Sequence, residues 1–345
     1  MRQLIIPEAG GPDVFEMRES TDPEAGPGDV RIRVGAAGVN FADLSARMGT
    51  YQDAPPFPCC IGYEVAGVVD QVGPPVGEGS GSMVEVGAEV FGMTMFGGYA
   101  DTVVVPAYQV RRVPDVLDLV AAAGVPVVSL TAYVMVVRLG SVRPGESMLI
   151  HGVGGGVGLA ALQFALDRGA TVIGTASGRK HDRLRELGVD HLIDYRTQDL
   201  RTEVRRIVGD RGVDVILDPI GGPTTRTNYK LLAPLGRLFL YGVSSTSARG
   251  ARTRSYRQIA SAVARTPIFH PFQLMNANKG VFGINMNRLA ADVPSMTAAF
   301  DEIVEALERS VLDPIVDATF PLEKAGRAHT YLADGKNFGK VVLTV

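Results

Sequence analysis

Residues 147–169 constrain the fold most. An apolar run, SMLIHG (147–152), passes into the glycine-rich turn HGVGGGVG (151–158) and then into a run with helical spacing, LAALQFALDRG (159–169). A strand that ends in glycines and opens a helix is a phosphate-binding arrangement. One glycine lets the backbone approach a pyrophosphate, another lets helix pack on strand, and the first helical amides face the anion. Gly155 and Gly158 stand where the second and third glycines of such a turn belong, and Val153 takes the place of the first. The alternation then repeats. TVIGTA (171–176) leads to KHDRLRELG (180–188), HLIDY (191–195) to LRTEVRRIVG (200–209), and VDVILDPIGG (213–222) to NYKLLAPLG (228–236) and RLFLYG (237–242). Buried, non-alternating strands between helices predict a parallel, doubly wound α/β sheet, with VFGINM (281–286) as a further strand. A purely structural glycine turn is the competing reading of 151–158, and the motif's place inside this series favours a nucleotide.

The end of the second strand bears on which nicotinamide cofactor fits. NAD sites place a carboxylate about 20 residues past the glycines. Here the strand ends Thr175, Ala176, Ser177, Gly178, followed by Arg179 and Lys180. A carboxylate repels a 2′-phosphate, whereas a hydroxyl and a basic pair hold one, so NADPH is expected. The alternative, solvated charges opening a helix, sets two cations against the helix dipole.

The flanks differ in texture. Residues 1–123 are rich in Gly, Pro and short Val-rich runs such as DVRIRVGAAGV (29–39) and GYEVAGVVDQVG (62–73), which predict an all-β, barrel-like unit. GPPVGEGSGSM (73–83) reads as a surface loop. Residues 124–290 form the alternating unit. Residues 291–345 hold one amphipathic helix (296–310) and two short strands (313–321 and 339–345), too little to bury a core alone, so this segment is expected to rejoin the first. A length of 345 residues suits about two domains.

Charge does not suggest bulk nucleic-acid binding, since 34 Lys+Arg face 37 Asp+Glu for a net −3. The two cysteines, Cys59 and Cys60, are adjacent and poorly placed to bridge, so a reduced, cytoplasmic protein is expected. The start, MRQLIIPEAGG, does not read as a signal peptide, and no stretch reaches the 18 or so apolar residues of a transmembrane helix.

Several runs together resemble a known family. GVNFADLSARMGTY (38–51), FPCCIGYEVAGVV (57–69), LTAY (130–133), RPGESMLIHGVGGGVGLAALQ (143–163), GTASGRKHDRLRELG (174–188), HLIDY (191–195), DPIGG (218–222) and NFGKVVL (337–343) are similar to the zinc-free, zeta-crystallin-like quinone oxidoreductase branch of the medium-chain dehydrogenase/reductases. Within it the vesicle amine transport protein 1-like group is nearest. The resemblance implies a GroES-like β-rich catalytic domain (1–123 with 291–345) and a Rossmann-type NADP domain (124–290). Zinc enzymes of the superfamily carry a cysteine and a histidine where this chain has Asn40 and Tyr63, their third ligand falls near Val127, and the region 90–115 that would hold a structural zinc has no cysteine. The five histidines, at 151, 181, 191, 270 and 329, have no ligand spacing, so no metal is expected.

Without a Lewis acid, the implied chemistry is hydride transfer from NADPH to an acceptor that is already electrophilic, a quinone or an α,β-unsaturated carbonyl. By the family pattern, Asn40, Asp43, Tyr51 and Tyr63 line or support the substrate cleft, with the Tyr51 and Tyr63 phenols as donors to the acceptor oxygen. A core tyrosine is the plainer reading of Tyr63, and holding a turn that of Asp43. Thr131 falls near the nicotinamide, Gly155, Gly156 and Val157 at the pyrophosphate, and Ser177, Lys180 and Tyr195 around the 2′-phosphate. Gly221 and Gly222 fall beside the ribose, and Asn337 and Lys340 close over the cofactor. An enoyl-thioester reductase and a nucleotide-binding interaction protein with little turnover are the alternatives. SARGARTRSYRQIASAVAR (247–265), with five arginines and no acid, reads as a loop and a solvated helix or as a surface for an anionic substrate, membrane or nucleic acid. The family and the candidate edge strand at 281–286 both point to a homodimer. The physiological acceptor and any proton donor are left open by the sequence.

Overall fold

The computed structural model describes residues 1–76, 84–244, 260 and 264–345. These fall into two compact units. One comprises Met1–Leu130 and Met286–Val345, and the other the described residues from Thr131 to Asn285. Residues 77–83 of the glycine-rich loop and most of the basic stretch 247–265 lie outside the described residues.

The first unit holds two sheets. A small antiparallel one joins β1 (Arg2–Ile6), β2 (Glu16–Glu19) and β4 (Cys59–Cys60) in the order β2-β1-β4. Both cysteines are free thiols. The larger sheet runs β15-β16-β3-β5-β6-β8, with β7 also paired to β3. Its strands are β3 (Asp29–Val39), β5 (Glu64–Val72), β6 (Glu89–Met93), β7 (Thr102–Pro106), β8 (Val110–Arg112), β15 (Val316–Pro321) and β16 (Lys340–Thr344). Strand β3 shows why the alternating pattern works. Val30, Ile32 and Val34 point into the core. Arg31 and Arg33 point out and meet Asp70 at 2.8 and 2.6 Å. The C-terminal segment completes the sheet through β16, antiparallel to β3 with Val341 opposite Val39. Its helix begins earlier than the apolar spacing predicts, at Val293. Asp292 accepts the Ser295 amide there, and Met296, Ala299, Phe300, Ile303 and Leu307 face the core.

The second unit is one parallel sheet in the order β11-β10-β9-β12-β13-β14. Its strands are β9 (Ser147–His151), β10 (Thr171–Ala176), β11 (His191–Asp194), β12 (Val213–Asp218), β13 (Leu232–Leu240) and β14 (Gly280–Gly283). The order reverses between β9 and β12, and the carboxyl ends of strands at such a switch point are where ligands bind. Two readings shift. The run 228–236 is not one helix. The helix Pro223–Leu231 stops and β13 starts at Leu232. Pro234 has no N–H for a helix, and Leu235 takes φ +64° with its amide on Asn278 O at 2.7 Å. Of VFGINM, the residues up to Gly283 are strand and Met286 opens a short helix, Met286–Leu289. Among the described residues no helix is long and apolar enough to cross a membrane.

Candidate active site

In the second unit the glycine turn follows β9. Gly152 has φ +64°, and Gly155 precedes the helix Gly156–Asp167 in extended conformation. A Cβ on Gly158 would sit 2.5 Å from Gly152 O and 2.6 Å from Val153 O, so only glycine lets the first helical turn pack on the loop. No side chain caps this helix, which leaves its first amides, those of Gly156 and Val157 among them, for an anion. Val153 is fully buried, and β10 makes room for it. A Cβ on Gly174 would lie 2.6 Å from Val153 Cγ1. The glycine missing from the turn is matched by one on the neighbouring strand. His151 is buried between Thr175 Oγ1 at 3.2 Å and Asn228 Oδ1 at 2.9 Å, and burial lowers its pKa, so it stays neutral and ties the ends of β9 and β10 to the helix Pro223–Leu231.

At the end of β10, Ser177 is buried, and Arg179 and Lys180 follow in a tight turn, Gly178–Lys180. Tyr195 stands half-exposed at the end of β11 with the Arg196 guanidinium over its ring. Strand pairing of Ala176 with Asp194 brings these residues together. Asp194, given no role from sequence, turns its carboxylate to the backbone. It accepts the amides of Gly178 at 2.9 Å and Arg196 at 3.0 Å, which hold its pKa low. The Asp218 carboxylate likewise turns to the backbone, in the 218–222 loop. It accepts the Ile220 and Gly221 amides and the Thr225 hydroxyl, while Gly221 and Gly222 take φ +75° and +60°.

In the first unit, Asn40, Tyr51 and Tyr63 come from three neighbouring pieces of chain. Tyr63 is 2% exposed, and its ring packs on Phe96 at 4.8 Å and edge-on against Tyr51 at 6.0 Å. Its Oη makes no hydrogen bond of regular geometry, although Tyr51 and Asn287 lie close enough to act on it. Burial first, then the Asp43 and Tyr51 charges, push its pKa far up, so the phenol keeps its proton. Burial likewise raises Tyr51. Asp43 is fully buried and accepts the Asn40 amide at 2.7 Å, closing the first turn of the helix Phe41–Arg47. Burial, opposed by that bond and by Lys340, raises its pKa to about 7.

Asn40 is held at both ends of its side-chain amide. Nδ2 donates to Glu64 Oε1 at 2.7 Å, and Oδ1 accepts from Lys340 Nζ at 2.9 Å. Lys340 is buried, and its other two N–H groups go to Glu64 Oε1 at 2.6 Å and Val39 O at 3.1 Å. Its ammonium is engaged inside the unit. Asn337 is also buried and donates to Gly339 O at 2.7 Å. Thr131 is buried in the helix Pro126–Tyr133. Glu64 is the residue the motif reading passed over. The signal was a carboxylate at the head of the apolar run EVAGVV (64–69).

The residues do not fit a zinc ion. Asn40, Tyr63 and Val127 offer no thiolate or imidazole, and among the described residues no group of three His, Cys, Asp or Glu is arranged to hold a metal.

The chain matches the model of the alcohol dehydrogenase GroES-like domain over residues 26–115 and that of the zinc-binding dehydrogenases over 187–343. It is 36% identical to the synaptic vesicle membrane protein VAT-1 homolog of Mus musculus, covering 99% of this chain and 83% of that one. It is 34% identical to a 2-haloacrylate reductase of a Burkholderia species, covering 98% and 97%. The Escherichia coli quinone oxidoreductase solved in complex with NADPH superposes with a TM-score of 0.85 at 25% identity, over the whole of both chains. A GroES-like sheet, a Rossmann-type sheet and this likeness along the full length identify the chain as a member of the zinc-independent medium-chain dehydrogenase/reductases, among the VAT-1-like and quinone oxidoreductase homologues.

Proposed function

We propose that the protein reduces quinones or α,β-unsaturated carbonyls with NADPH and without a metal. The observation that carries this reading is the buried Tyr63 phenol, which keeps its proton and lacks a regular hydrogen-bond partner, in a chain homologous to NADPH-using quinone and enoyl oxidoreductases. Bound NADPH supplies a hydride. The amides of Gly156 and Val157 hold its pyrophosphate, and Ser177, Arg179, Lys180 and Tyr195 surround the 2′-phosphate. Gly221 and Gly222 pass the ribose, with Thr131 and Asn337 as the remaining cofactor contacts. Lys340 serves through Asn40 rather than at the cofactor. Reduction of such an acceptor would build charge on its oxygen. The Tyr63 Oη–H, assisted by Tyr51, donates a hydrogen bond to it, and solvent supplies the final proton. The 34% identity to a 2-haloacrylate reductase, whose named substrate is an activated alkene, favours a carbon–carbon double bond as the reduced group.

The test is loss of 340 nm absorbance from NADPH and, in parallel, NADH, with chelator-treated protein and a panel of ortho-quinones, para-quinones, enones and an enoyl thioester. Turnover with NADPH that chelator does not change is expected. Tight NADPH binding with no turnover on any acceptor would sink the reductase reading and favour a nucleotide-binding interaction protein. Turnover on the thioester alone would narrow it to an enoyl-thioester reductase.

A further inference from the structure

Glu64 and Lys340 form an ion pair at 2.6 Å whose side chains are 0% and 5% exposed. Replacing such a pair by apolar residues of similar volume is often neutral or stabilising, so stability alone is a weak reason to keep it. The fold has made room for it. A Cβ on Gly38 would lie 2.2 Å from Glu64 Oε1, and one on Gly124 would lie 3.2 Å from Lys340 Cγ. Both oxygens of the Glu64 carboxylate and all three N–H groups of the Lys340 ammonium are hydrogen-bonded. Glu64 Oε1 accepts from Asn40 Nδ2 and Lys340 Nζ, and Oε2 accepts the Val127 amide at 2.7 Å. The three N–H groups of Lys340 reach Val39 O, Asn40 Oδ1 and Glu64 Oε1.

Four separate pieces of chain therefore meet at one carboxylate and one ammonium. They are the end of β3 with Asn40, the start of β5 just after Tyr63, the start of β16, and the first turn of the helix Pro126–Tyr133. The Val127 amide belongs to the group that a helix leaves without an internal partner, and a carboxylate there also suits the helix dipole.

We infer that the buried Glu64–Lys340 pair is a positioning device that locks the Asn40 amide, the Tyr63 backbone and the first turn of the helix Pro126–Tyr133 into one arrangement for the reaction. The inference rests on the reductase reading for its catalytic consequence and on geometry for the rest. Neither residue touches the acceptor. Both act through their neighbours.

The test compares wild type with E64Q, K340M and the double variant E64Q/K340M. Each single variant leaves one buried polar group without its counterpart, and both are expected to melt earlier and turn over more slowly. The double variant removes both charges. It is expected to regain most of the melting temperature while kcat stays at least roughly tenfold below wild type, because loss of position by about 1 Å costs on the order of a hundredfold in rate. KM for NADPH should stay within about twofold, since no residue assigned to the phosphates changes. Amide exchange at Val127, read by fragmentation of the peptide 123–133, should quicken at least about tenfold in the double variant, because a neutral amide oxygen at position 64, no longer tethered by Lys340, holds the Val127 N–H less tightly than the carboxylate does. If kcat returns together with stability, the pair is merely structural and the inference is overturned. If wild type reduces no acceptor, the reductase reading falls by itself. The positional claim is then decided by exchange alone, and unchanged protection at Val127 overturns it.

Discussion

A phenol and a carboxylate buried in the same unit call for opposite experiments. Tyr63 is held protonated by burial. Tyr63→Phe removes the donor and nothing else of the ring, so kcat is expected to fall roughly 100–1000-fold, in the range seen when one donor to a developing oxyanion is lost. NADPH affinity, measured by nicotinamide fluorescence, should stay level, and an unchanged kcat would return Tyr63 to a packing role. Asp43 carries the pH signal. Its folded-state pKa of about 7 stands above the ordinary carboxylate value of 3.8 because burial outweighs the Asn40 amide and Lys340, with Glu64 adding to the rise. The folded state therefore binds the extra proton, and this contribution to stability is complete below about pH 4 and fades as pH climbs through about 7. Asp43→Asn keeps an acceptor for the Asn40 amide and does not titrate. Its melting temperature relative to wild type should rise by about 2–5 °C between pH 5 and pH 8. A constant difference across that range would exclude Asp43 as the titrating group.

Elements answer to packing that no single motif displays. The glycine turn was legible because strand, glycines and helix follow one another directly, yet its first position holds a valine. Val153 is admitted only because β10 carries Gly174 beside it. Gly174→Ala should destabilise the second unit by about 1–3 kcal/mol through overpacking, measured by urea unfolding. Adding Val153→Ala should recover much of the loss. No recovery in the double variant would mean that the two residues are not coupled as the geometry requires. The misread run at 228–236 has the same lesson. Apolar residues at 231, 232 and 235 fit helix spacing, and only the pairing of β13 with β12, shifted between Val213 and Val215, places Leu232 in a strand.

At the scale of the whole molecule, the parallel sheet of the second unit ends, among the described residues, in a strand paired on one side only. Strand β14 is the last of its sheet. Before it runs the helix Pro271–Ala277, with Phe272 and Met275 exposed and Ile268 93% exposed just ahead. An open strand edge with apolar side chains nearby favours pairing with a second copy. A homodimer is expected by light scattering at micromolar concentration. The double variant F272E/M275E should run as one chain with its far-ultraviolet circular dichroism unchanged. A wild-type monomer at that concentration would leave the edge as a covered or self-limiting one.

The sequence by itself determined the classes of element and their alternation, because the period of apolar residues and the position of glycines follow from backbone geometry alone. It also determined the lack of zinc ligands and the basic, hydroxyl-bearing end of β10, since these are matters of residue type. What only tertiary structure decided is which polar groups satisfy one another. Glu64 and Lys340 lie 276 positions apart, Asn40 and Val127 come from other parts of the chain, and nothing local marks the four as partners. Their meeting follows from β16 closing on β3 in a register that sets Val341 opposite Val39, and so brings Lys340 to Asn40. A buried charge must find its counter-charge wherever the sheet brings one, and the sheet is assembled from both ends of the chain.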